Sequence, residues 1–472
     1  MSLIARLKED SSQKRVLEIK KAAGPLPDDF EFSAEFQSAF DTIENTRQSV
    51  YLTGEAGTGK TTFLRYFREH TKKKYVVLAP TGIGAINSNG QTMHSFFKFP
   101  PKLIQPEHIH YFKKHHALFA ALELLVIDEA SMIRADLLDA VDMSLRRNRE
   151  MPGIPFGGVQ VALIGDMYQL PPVVDRELAD HYPRMYETPY FFSARVFKAV
   201  KFERLRLTKI YRQRDSRFTG LLNKIRRNSA DMFDLELLNS RVDKACENFD
   251  DCITLTPTNA LANSINETRL AKLDLPEFEY KASIKGHFDE QSYPTETVLK
   301  LRAGAQVLMI RNDPQKRWVN GSLGEIVKLR TDSIQVKIEN TIYDIESVVW
   351  EKIKYHFDED AGRIMEEVIG GFEQYPMKLA WAMTIHKSQG LTFDRVVVDF
   401  GNGAFASGQT YVALSRCRTF ETMYLKRPVK FRDIILDARI KRFEEVAEPD
   451  VAGEPDFRVE PVIEDALPEI PI

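Results

Sequence analysis

The stretch SVYLTGEAGTGKTT, residues 49–62, decides the fold of this chain. It opens with a short apolar run and continues into Gly54–Thr61, which fits the pattern G-x-x-x-x-G-K-[ST]. Glycines at this spacing let backbone N–H groups wrap around a phosphate without Cβ clashes. Lys60 can reach the β- and γ-phosphates, and the Thr61 hydroxyl can ligate Mg²⁺. Because a helical stretch follows at 61–71, the order of strand, loop and helix predicts a nucleotide-binding loop in an α/β sheet.

A second apolar run, Leu124–Ile127, ends in the carboxylate pair Asp128-Glu129. A carboxylate at the end of a buried strand can hold Mg²⁺ through its water shell, which is the role we expect for Asp128. The next carboxylate, Glu129, can orient and deprotonate an attacking water. Together with the phosphate loop, this pair predicts hydrolysis of ATP.

Apolar runs of the same kind recur along the chain. Four or five apolar residues without polar alternation are typical of strands that are buried on both faces of a parallel sheet. Such runs lie at 49–52, 75–78, 124–127 and 161–164, with helical stretches at 61–71 and 134–147. The pattern restarts after about residue 200, at 252–256, 380–385 and 396–399. We therefore predict two α/β domains.

Residues 283–377 have a different pattern. Short strands are predicted at 307–310, 325–327, 334–338 and 341–345, with β-turns at Asn320-Gly321 and Gly370-Gly371. This pattern predicts a small antiparallel β-barrel inserted into the second α/β domain. One of its loops, which contains Trp318 among Arg and Lys residues, looks like a DNA-facing loop or an ordinary exposed turn.

The composition excludes several classes of protein. The chain has 472 residues, 43% of them hydrophobic, and three cysteines. No apolar run approaches the ~18 residues that span a membrane, and three cysteines make neither a disulfide framework nor a zinc site. Ten of the 68 acidic residues but only one of the 65 basic ones lie in 443–472, so the rest of the chain is mildly basic. We expect a cytoplasmic protein if the source is bacterial, with an acidic tail that is disordered or loosely attached.

Further polar segments stand at strand or helix ends. They are Ala79–Gly82, Gln91–Phe97, Gly165–Pro172, Leu207–Gln213, Thr384–Gly390 and Tyr411–Arg418. Gln169 lies where a side chain could sense the γ-phosphate. An arginine that reaches the γ-phosphate from a second domain stabilises transition-state charge and reports the nucleotide state across the cleft.

Taken in chain order, these segments resemble the Pif-type DNA helicases. These enzymes belong to the 5′→3′ branch of superfamily-one helicases and are related to RecD- and Dda-type enzymes. The resemblance runs from about Phe36 to Lys426, through the phosphate loop and the motifs APTG, DEAS, GDMYQLPPV, YRQ, TPTN, HKSQG and ALSRCR. Arg134–Gly158 resembles the segment that sets Pif-type apart from RecD-type enzymes. Nothing in the family aligns with the chain past residue 440.

The resemblance implies an α/β fold with two RecA-like P-loop NTPase domains and an inserted small antiparallel β-barrel of the Src-homology-three-like kind. The implied divisions are an N-terminal extension (1–27), a first RecA-like domain (28–200) with a wedge excursion (98–118) next to the duplex fork, a second RecA-like domain (201–282 and 378–428), the barrel (283–377), and a C-terminal segment (429–472) whose acidic tail starts at 443.

The resemblance also implies a binding site for ATP and Mg²⁺ in the cleft between the two domains. The implied nucleotide-binding residues are Gln37, at the adenine, and Gly57, Thr58, Gly59, Lys60, Thr61, Thr62 and Gly390. Thr61 and Asp128 are the implied metal ligands. Glu129 handles the water and Gln169 senses the γ-phosphate. Arg212 and Arg416 are the implied arginine fingers from the second domain.

The residues implied along the single strand are Thr81, His94, Phe96, Thr256, Asn259, His386 and Lys387. Some of these assignments have plainer alternatives. Consecutive phenylalanines such as Phe96-Phe97 are more often core than stacking platforms, and Gln37 could be a surface polar residue. The lysines and four histidines of 98–118 fit a solvated basic loop better than a metal site.

We therefore expect an ATP-dependent DNA helicase that moves 5′→3′ on single-stranded DNA and unwinds duplex or structured DNA, including G-quadruplexes, in replication, recombination, repair or telomere maintenance. The expected partners are single-stranded and forked DNA and no membrane, and the chain is expected to be a monomer without DNA. The alternatives are a RecD- or Dda-like helicase, a P-loop ATPase or nucleotide kinase independent of nucleic acid, and a non-catalytic DNA-binding protein. Intact Lys60, Asp128 and Glu129 argue against the last.

Overall fold

The computed structural model describes residues 16–17, 33–174, 182–211, 215–243, 246 and 251–445. The expected N-terminal extension, apart from residues 16–17, and the acidic tail after residue 445 lie outside these ranges. Within them, no helix is both long enough and apolar enough to cross a membrane.

In the first half of the chain, the described residues form seven strands and seven helices. The strands β1 to β7 are Val16–Leu17, Val50–Gly54, Tyr75–Ala79, Gln91–Thr92, Leu124–Ile127, Gln160–Gly165 and Glu203–Leu207. The helices α1 to α7 are Ala34–Asn45, Lys60–His70, Gly82–Asn87, Met93–Phe97, His116–Ala121, Ala135–Asn148 and Arg195–Ala199. The four predicted apolar runs and the two predicted helices are confirmed, and each boundary lies within two residues of its prediction.

Six of these strands form one parallel sheet in the order β4-β3-β5-β6-β2-β7. Helices cover both faces, which explains why the central strands are apolar on both sides. The predicted boundary at residue 200 is wrong, because β7 pairs with β2 along its whole length and therefore belongs to the first sheet. In this register the carboxyl ends of β2, β3, β5 and β6 meet at one edge, which is where an open α/β sheet binds its ligands.

The second half forms a smaller parallel sheet and an insert. Helices α8 to α12 are Ser216–Arg226, Met232–Asn239, Asn259–Ala271, Gln409–Leu414 and Ala438–Glu445. Strands β8 to β21 are Ile253–Thr256, Phe278–Lys281, Ser283–Gly286, Val298–Leu301, Gln306–Met309, Leu323–Leu329, Ile334–Ile338, Thr341–Ile345, Val348–Asp358, Arg363–Gln374, Met377–Leu379, Ala382–Thr384, Val396–Val398 and Met423–Leu425. The second parallel sheet has the order β19-β8-β20-β21, so its three predicted runs are confirmed.

The insert contains an antiparallel sheet in the order β15-β14-β13-β12-β18, which includes all four predicted short strands. Trp318 is buried in its core, 7% exposed, rather than turned outward toward a ligand. Arg317 lies over the indole ring, 4.6 Å from its centroid, and pairs with Asp313. The predicted DNA-facing loop is therefore partly a structural turn.

The sequence pattern missed a long hairpin, β16–β17, which forms a separate antiparallel sheet with β1 and β10 and contacts the first domain. Its Glu366 forms a buried ion pair with Arg68 at 3.1 Å. The β-turn predicted at Gly370-Gly371 is wrong, because both glycines lie inside β17. A Cβ at Gly370 would lie 2.3 Å from the carbonyl oxygen of His287, so the glycine permits a close approach of two backbones rather than a turn.

The excursion at 98–118 is anchored rather than free. Ile104, Ile109 and Phe112 are buried in the first core, while its lysines are exposed. Asn148, at the end of α6, accepts the Phe112 N–H at 2.7 Å and donates to the His110 carbonyl at 2.9 Å. The segment Arg134–Gly158 therefore holds this excursion in place through Asn148.

After the second domain, the chain returns to the first domain through α12. The ring of Phe443 stacks on Phe192, with centroids 4.4 Å apart, and lies under the Arg204 guanidinium. The next residue, Glu444, accepts a hydrogen bond from the Tyr51 hydroxyl at 3.1 Å. These contacts all join α12 to side chains of the first domain. Helix α12 therefore attaches the C-terminal end of the described chain to the first sheet.

We expect Phe443→Ala to loosen this attachment. Removing a large part-buried ring lowers the free energy of local opening by about 2 kcal/mol, somewhat less than for a fully buried phenylalanine. Amide hydrogen exchange in 438–445 measures this opening directly. Phe233→Ala is the matched control, because Phe233 is 80% exposed and its loss should leave the exchange unchanged. Equal protection in both variants would contradict the attachment.

Candidate functional site

The phosphate loop joins the end of β2 to the start of α2. Gly57 and Gly59 have φ values of 88° and 87°, a region that side chains with a Cβ rarely adopt. A Cβ at Gly54 would lie 2.5 Å from the Thr58 hydroxyl, which itself donates to the Glu55 carbonyl at 2.9 Å. The loop is therefore held in a fixed curve around the N-terminus of an 11-residue helix, a ready anion-binding site.

Lys60 lies in this loop with its ammonium close to the backbone. Its Nζ donates to the carbonyl oxygens of Gly54 at 2.6 Å and Glu55 at 2.9 Å. Thr61 is exposed at the start of α2, and Thr62 is half-buried beside it. The structure thus brings together the predicted phosphate-binding residues on one short turn.

The two carboxylates follow β5 at the same edge of the sheet. Glu129 has a left-handed backbone (φ 54°), and its N–H donates to Asp128 Oδ1 at 2.9 Å. Burial raises the pKa of both carboxyl groups, and the charge of Lys60 acts against this rise. Two crowded carboxylates beside a lysine form a site suited to binding a cation and to accepting a proton.

The second domain closes over these groups through Gln389, which sequence reasoning did not single out. Its amide donates to Glu129 Oε2 at 2.9 Å and to the Gln169 side-chain oxygen at 3.2 Å. Gln169 is buried, so one amide connects the predicted water-handling residue with the predicted γ-phosphate sensor. The sequence could have identified Gln389, because this residue lies inside the HKSQG motif.

Arg416 is buried at 1% exposure and acts electrostatically on Glu129. Its Nε donates to the Val412 carbonyl at 2.9 Å and one Nη to the Ser415 hydroxyl at 2.8 Å. Burial lowers the pKa of Arg416 to about 10, while Tyr411 and Glu129 act in the opposite direction. The guanidinium therefore stays charged at neutral pH and within electrostatic reach of Glu129.

The other predicted finger, Arg212, lies outside the described residues. Its neighbour Tyr211 donates its N–H to the Gly57 carbonyl at 2.8 Å, so the chain just before Arg212 contacts the phosphate loop. Two further residues that sequence reasoning missed, Arg226 and Tyr411, contact Asp166 at the end of β6, at 2.8 and 3.4 Å. Arg226 lies outside the motifs, whereas Tyr411 opens the segment Tyr411–Arg418, in which only Arg416 had an assigned role.

Two predicted nucleotide contacts lie toward the outside of the site. Gln37 is exposed on α1, and its amide donates to Asp41 on the same helix at 3.1 Å. Gly390 follows Gln389 in an exposed turn with φ 81°, and a Cβ at Gly390 would point into open space. Both assignments stay predictions.

The predicted DNA residues lie at the carboxyl ends of strands in both domains. Asn259 and Lys387 are exposed after the neighbouring strands β8 and β19. His386 is half-buried, and burial lowers its pKa. The prediction for Thr256 is wrong as a side-chain contact, because Thr256 is fully buried and its hydroxyl donates to the Thr258 carbonyl at 3.0 Å. Thr256 fixes the turn that presents Asn259.

In the first domain, three predicted DNA residues lie near the excursion. Thr81 is the N-cap of α3 and accepts the Gly84 N–H at 3.0 Å. His94 is half-buried, and burial together with Arg134 lowers its pKa. Phe97 is fully buried in the core, whereas Phe96 is only partly buried, so Phe96 is the ring of this pair that remains accessible to a base.

Comparison with known proteins supports this arrangement. The family model described as PIF1-like helicase matches residues 31–236, and a model described as helicase matches residues 368–435. Bacteroides Pif1 in complex with ADP-AlF4 superposes with a TM-score of 0.82 at 37% identity, covering 90% of this chain and 98% of that one. Bacteroides Pif1 bound to ssDNA superposes with a TM-score of 0.66 at 38% identity, covering 89% and 97%. The predicted α/β fold with a RecA-like core of parallel sheets is therefore confirmed.

The sequence relationship extends over nearly the whole chain. ATP-dependent DNA helicase Pif1 of Bdellovibrio bacteriovorus is 33% identical over 436 residues, which cover 89% of this chain and 93% of that protein. Since this relative is more than 30% identical and the match covers most of both chains, the chain belongs to the Pif1 family of ATP-dependent DNA helicases.

Proposed function

We propose that this helicase moves 5′→3′ along single-stranded DNA, with ATP bound in the cleft between its two parallel sheets. The observation that carries the proposal is the junction at Glu129, where Gln389 donates from the second domain and the charge of Arg416 lies close by. A nucleotide bound at Lys60 is thereby placed against groups from both domains. Its hydrolysis would change the contact between them, and alternating grip by the two domains would move the strand.

Each group of the cleft has a proposed role. Lys60 and the N–H groups of the loop bind the phosphates, Glu129 orients and deprotonates the attacking water, and Gln169 senses the γ-phosphate. Arg416, with Arg212, stabilises the charge that develops in the transition state.

The residues at the metal position fit Mg²⁺. Thr61 and Asp128 supply a hydroxyl and a carboxylate, and hard oxygen donors of this kind are what Mg²⁺ prefers in nucleotide sites. Burial raises the pKa of Asp128, a sign that its buried negative charge lacks a full counter-charge from the protein alone. When bound, Mg²⁺ neutralises charge on the β- and γ-phosphate oxygens.

We further propose that DNA lies across the carboxyl ends of both sheets. Asn259, His386 and Lys387 line the second-domain side, and Thr81, His94 and Phe96 line the first-domain side. Exposed lysines of the excursion at 98–118 would contact the fork, where this segment acts as the wedge. Because the single strand would be held through its phosphates and by base stacking, we expect little sequence preference. The affinity for DNA should fall as the salt concentration rises.

Three further features complete the proposal. The antiparallel sheet of the insert is Src-homology-three-like, and the second domain, predicted as residues 201–282 and 378–428, begins after β7 and surrounds the insert. The chain is a monomer without DNA, which light scattering on the purified protein checks.

The proposed substrates include duplex and G-quadruplex DNA, and the helicase acts on them in replication, recombination, repair or telomere maintenance.

Single-stranded DNA should stimulate ATP hydrolysis, by about tenfold if the coupling between sites is of the usual size. The rate is measured with and without oligo(dT), with an RNA oligonucleotide as control. Strand displacement then compares duplexes with 5′ and 3′ tails, and only the 5′-tailed duplex should open. A rate indifferent to nucleic acid would favour a nucleic-acid-independent ATPase, and opening of the 3′-tailed duplex would reverse the polarity.

A further inference from the structure

A fully buried ion pair joins the two domains next to the phosphate loop. Arg226, on α8 of the second domain, donates to Asp166 Oδ1 of the first domain at 2.8 Å. The exposed fractions of the two side chains are 3% and 0%. The guanidinium also lies 3.9 Å from the ring centroid of Tyr168. Breaking such a pair would leave a buried charge without its partner, so it strongly favours one relative position of the two domains.

Tyr411 extends this contact to the loop itself. Its hydroxyl accepts the backbone N–H of Ala56 at 2.9 Å and donates to Asp166 Oδ2 at 3.4 Å. Ala56 lies inside the phosphate loop, whereas Tyr411 lies on α11 of the second domain. We call Asp166, Arg226 and Tyr411 the Asp166 clasp. Through it, a backbone donor of the nucleotide-binding loop is held by a side chain of the other domain.

Asp166 remains ionised in this setting. Burial alone would raise its pKa, but Arg226 and Lys60 hold the pKa of Asp166 below its ordinary value. The carboxylate also accepts the Tyr168 N–H at 3.2 Å. An ionised acceptor strengthens the bond from the Tyr411 hydroxyl, because hydrogen bonds to charged groups are stronger than neutral ones.

The helix that carries Tyr411 has little room to shift. Gly408, the residue before α11, has φ 73°, and a Cβ there would lie 2.3 Å from the Tyr168 carbonyl and 2.4 Å from the Gln169 carbonyl. The same helix carries the carbonyl of Val412, which holds Arg416. A movement of α11 therefore displaces the Ala56 contact and the Arg416 guanidinium together.

We propose that Tyr411 is a positioning residue that couples the phosphate loop to the second domain, so that DNA, by moving the second domain, sets the loop that binds ATP. This inference rests on the proposed stimulation by single-stranded DNA. The loop is fastened at three successive residues, because Lys60 holds the Gly54 and Glu55 carbonyls and Tyr411 holds the Ala56 N–H. A triphosphate that binds Lys60 would leave Tyr411 as a cross-domain contact of the loop, beside the Tyr211 N–H that donates to the Gly57 carbonyl.

Tyr411→Phe tests the inference, because it keeps the ring and removes only the hydroxyl. The kcat and KM for ATP are measured with and without saturating oligo(dT), together with the Tm. We expect the ratio of DNA-stimulated to basal kcat to fall about tenfold, the size of one hydrogen bond to a charged group, with a smaller change in KM. A residue that is only structural would lower Tm without changing this ratio.

Tyr186→Phe is the matched control. Its hydroxyl also donates to a carboxylate, Asp139, at 2.9 Å, but within the first domain. It should lower Tm by a similar amount and leave the stimulation ratio intact. Arg226→Lys keeps the charge and loses the guanidinium fork, so it should lower the ratio in the same direction. Combined with Tyr411→Phe, it should add little, because both act through Asp166.

The outcomes are separable. A wild type that DNA does not stimulate would refute the proposed function and the inference with it. If DNA stimulates the wild type and Tyr411→Phe equally, the inference alone is overturned. The same holds if Tyr186→Phe loses as much of the stimulation ratio as Tyr411→Phe, or if the losses of this ratio in the double variant are strictly additive. A selective loss of the ratio in Tyr411→Phe supports the clasp.

Discussion

Arg416→Ala should lower kcat for ATP hydrolysis by ~10³ or more, the usual effect of removing an arginine finger. The guanidinium is buried and still charged at neutral pH, and Glu129 is one of the groups that favour its charge. Its own domain holds it through the Val412 and Ser415 contacts, which fix the direction of the guanidinium. The developing charge on the γ-phosphate would lose this cation, whereas the ground-state nucleotide keeps Lys60 and the loop. The dissociation constant for ATP should therefore change only modestly.

Three measurements make this result interpretable. Single-turnover hydrolysis gives the rate of the chemical step, equilibrium titration gives the nucleotide affinity, and the Tm reports the loss of a buried side chain. Arg418→Ala is the control, since Arg418 is exposed two residues further on and pairs only with the exposed Asp394 among the described residues. Arg416→Lys should recover little activity, because a lysine lacks the planar fork. An unchanged kcat in Arg416→Ala would remove Arg416 from the catalytic site.

The two parallel sheets were predictable because their strands are buried on both faces. A run such as Leu124–Ile127 has no polar alternation, and its end is marked by Asp128-Glu129. The hairpin β16–β17 was not predictable in this way. Its strands are 11 and 12 residues long with mixed burial, and its Gly370-Gly371 pair imitates a turn. The close approach of His287 that requires Gly370 is a long-range contact, which no local pattern contains.

The candidate site likewise contains residues that the sequence could predict and residues that it could not. The loop and the carboxylate pair were predictable because each motif has a fixed spacing that its chemistry requires. The partners of Asp166 were not, because Arg226 lies in a helix whose sequence reads as an ordinary amphipathic one, and its distance of 60 residues from Asp166 hides the contact. The prediction that Thr256 contacts DNA was wrong for the opposite reason. Thr256 occupies a motif position but uses its hydroxyl to hold the turn that follows.

Lys60→Ala should reduce ATP hydrolysis by ~10³ or more and also weaken nucleotide binding, unlike the arginine variant. Lys60 acts on the charge of Asp128, Glu129 and Asp166, so three carboxylates near the loop share its positive charge. Without Lys60, the negative charge of these carboxylates is offset less when a triphosphate enters the cleft. Like charges at short range in a site shielded from water repel strongly. Both the ground state and the transition state are therefore destabilised, which should raise KM and lower kcat together.

DNA binding separates this effect from general damage to the protein. Lys60 lies on the nucleotide side of the loop, where its ammonium donates to the Gly54 and Glu55 carbonyls. The affinity for oligo(dT), measured by fluorescence anisotropy at fixed salt, should therefore stay within about twofold of the wild type, since none of the phosphate contacts that determine it is lost. Lys72→Ala provides the charge-matched control, because Lys72 is an exposed lysine just beyond the end of α2. Near-normal turnover in Lys60→Ala, or equal losses in the two lysine variants, would show that this loop does not bind the phosphates that are hydrolysed.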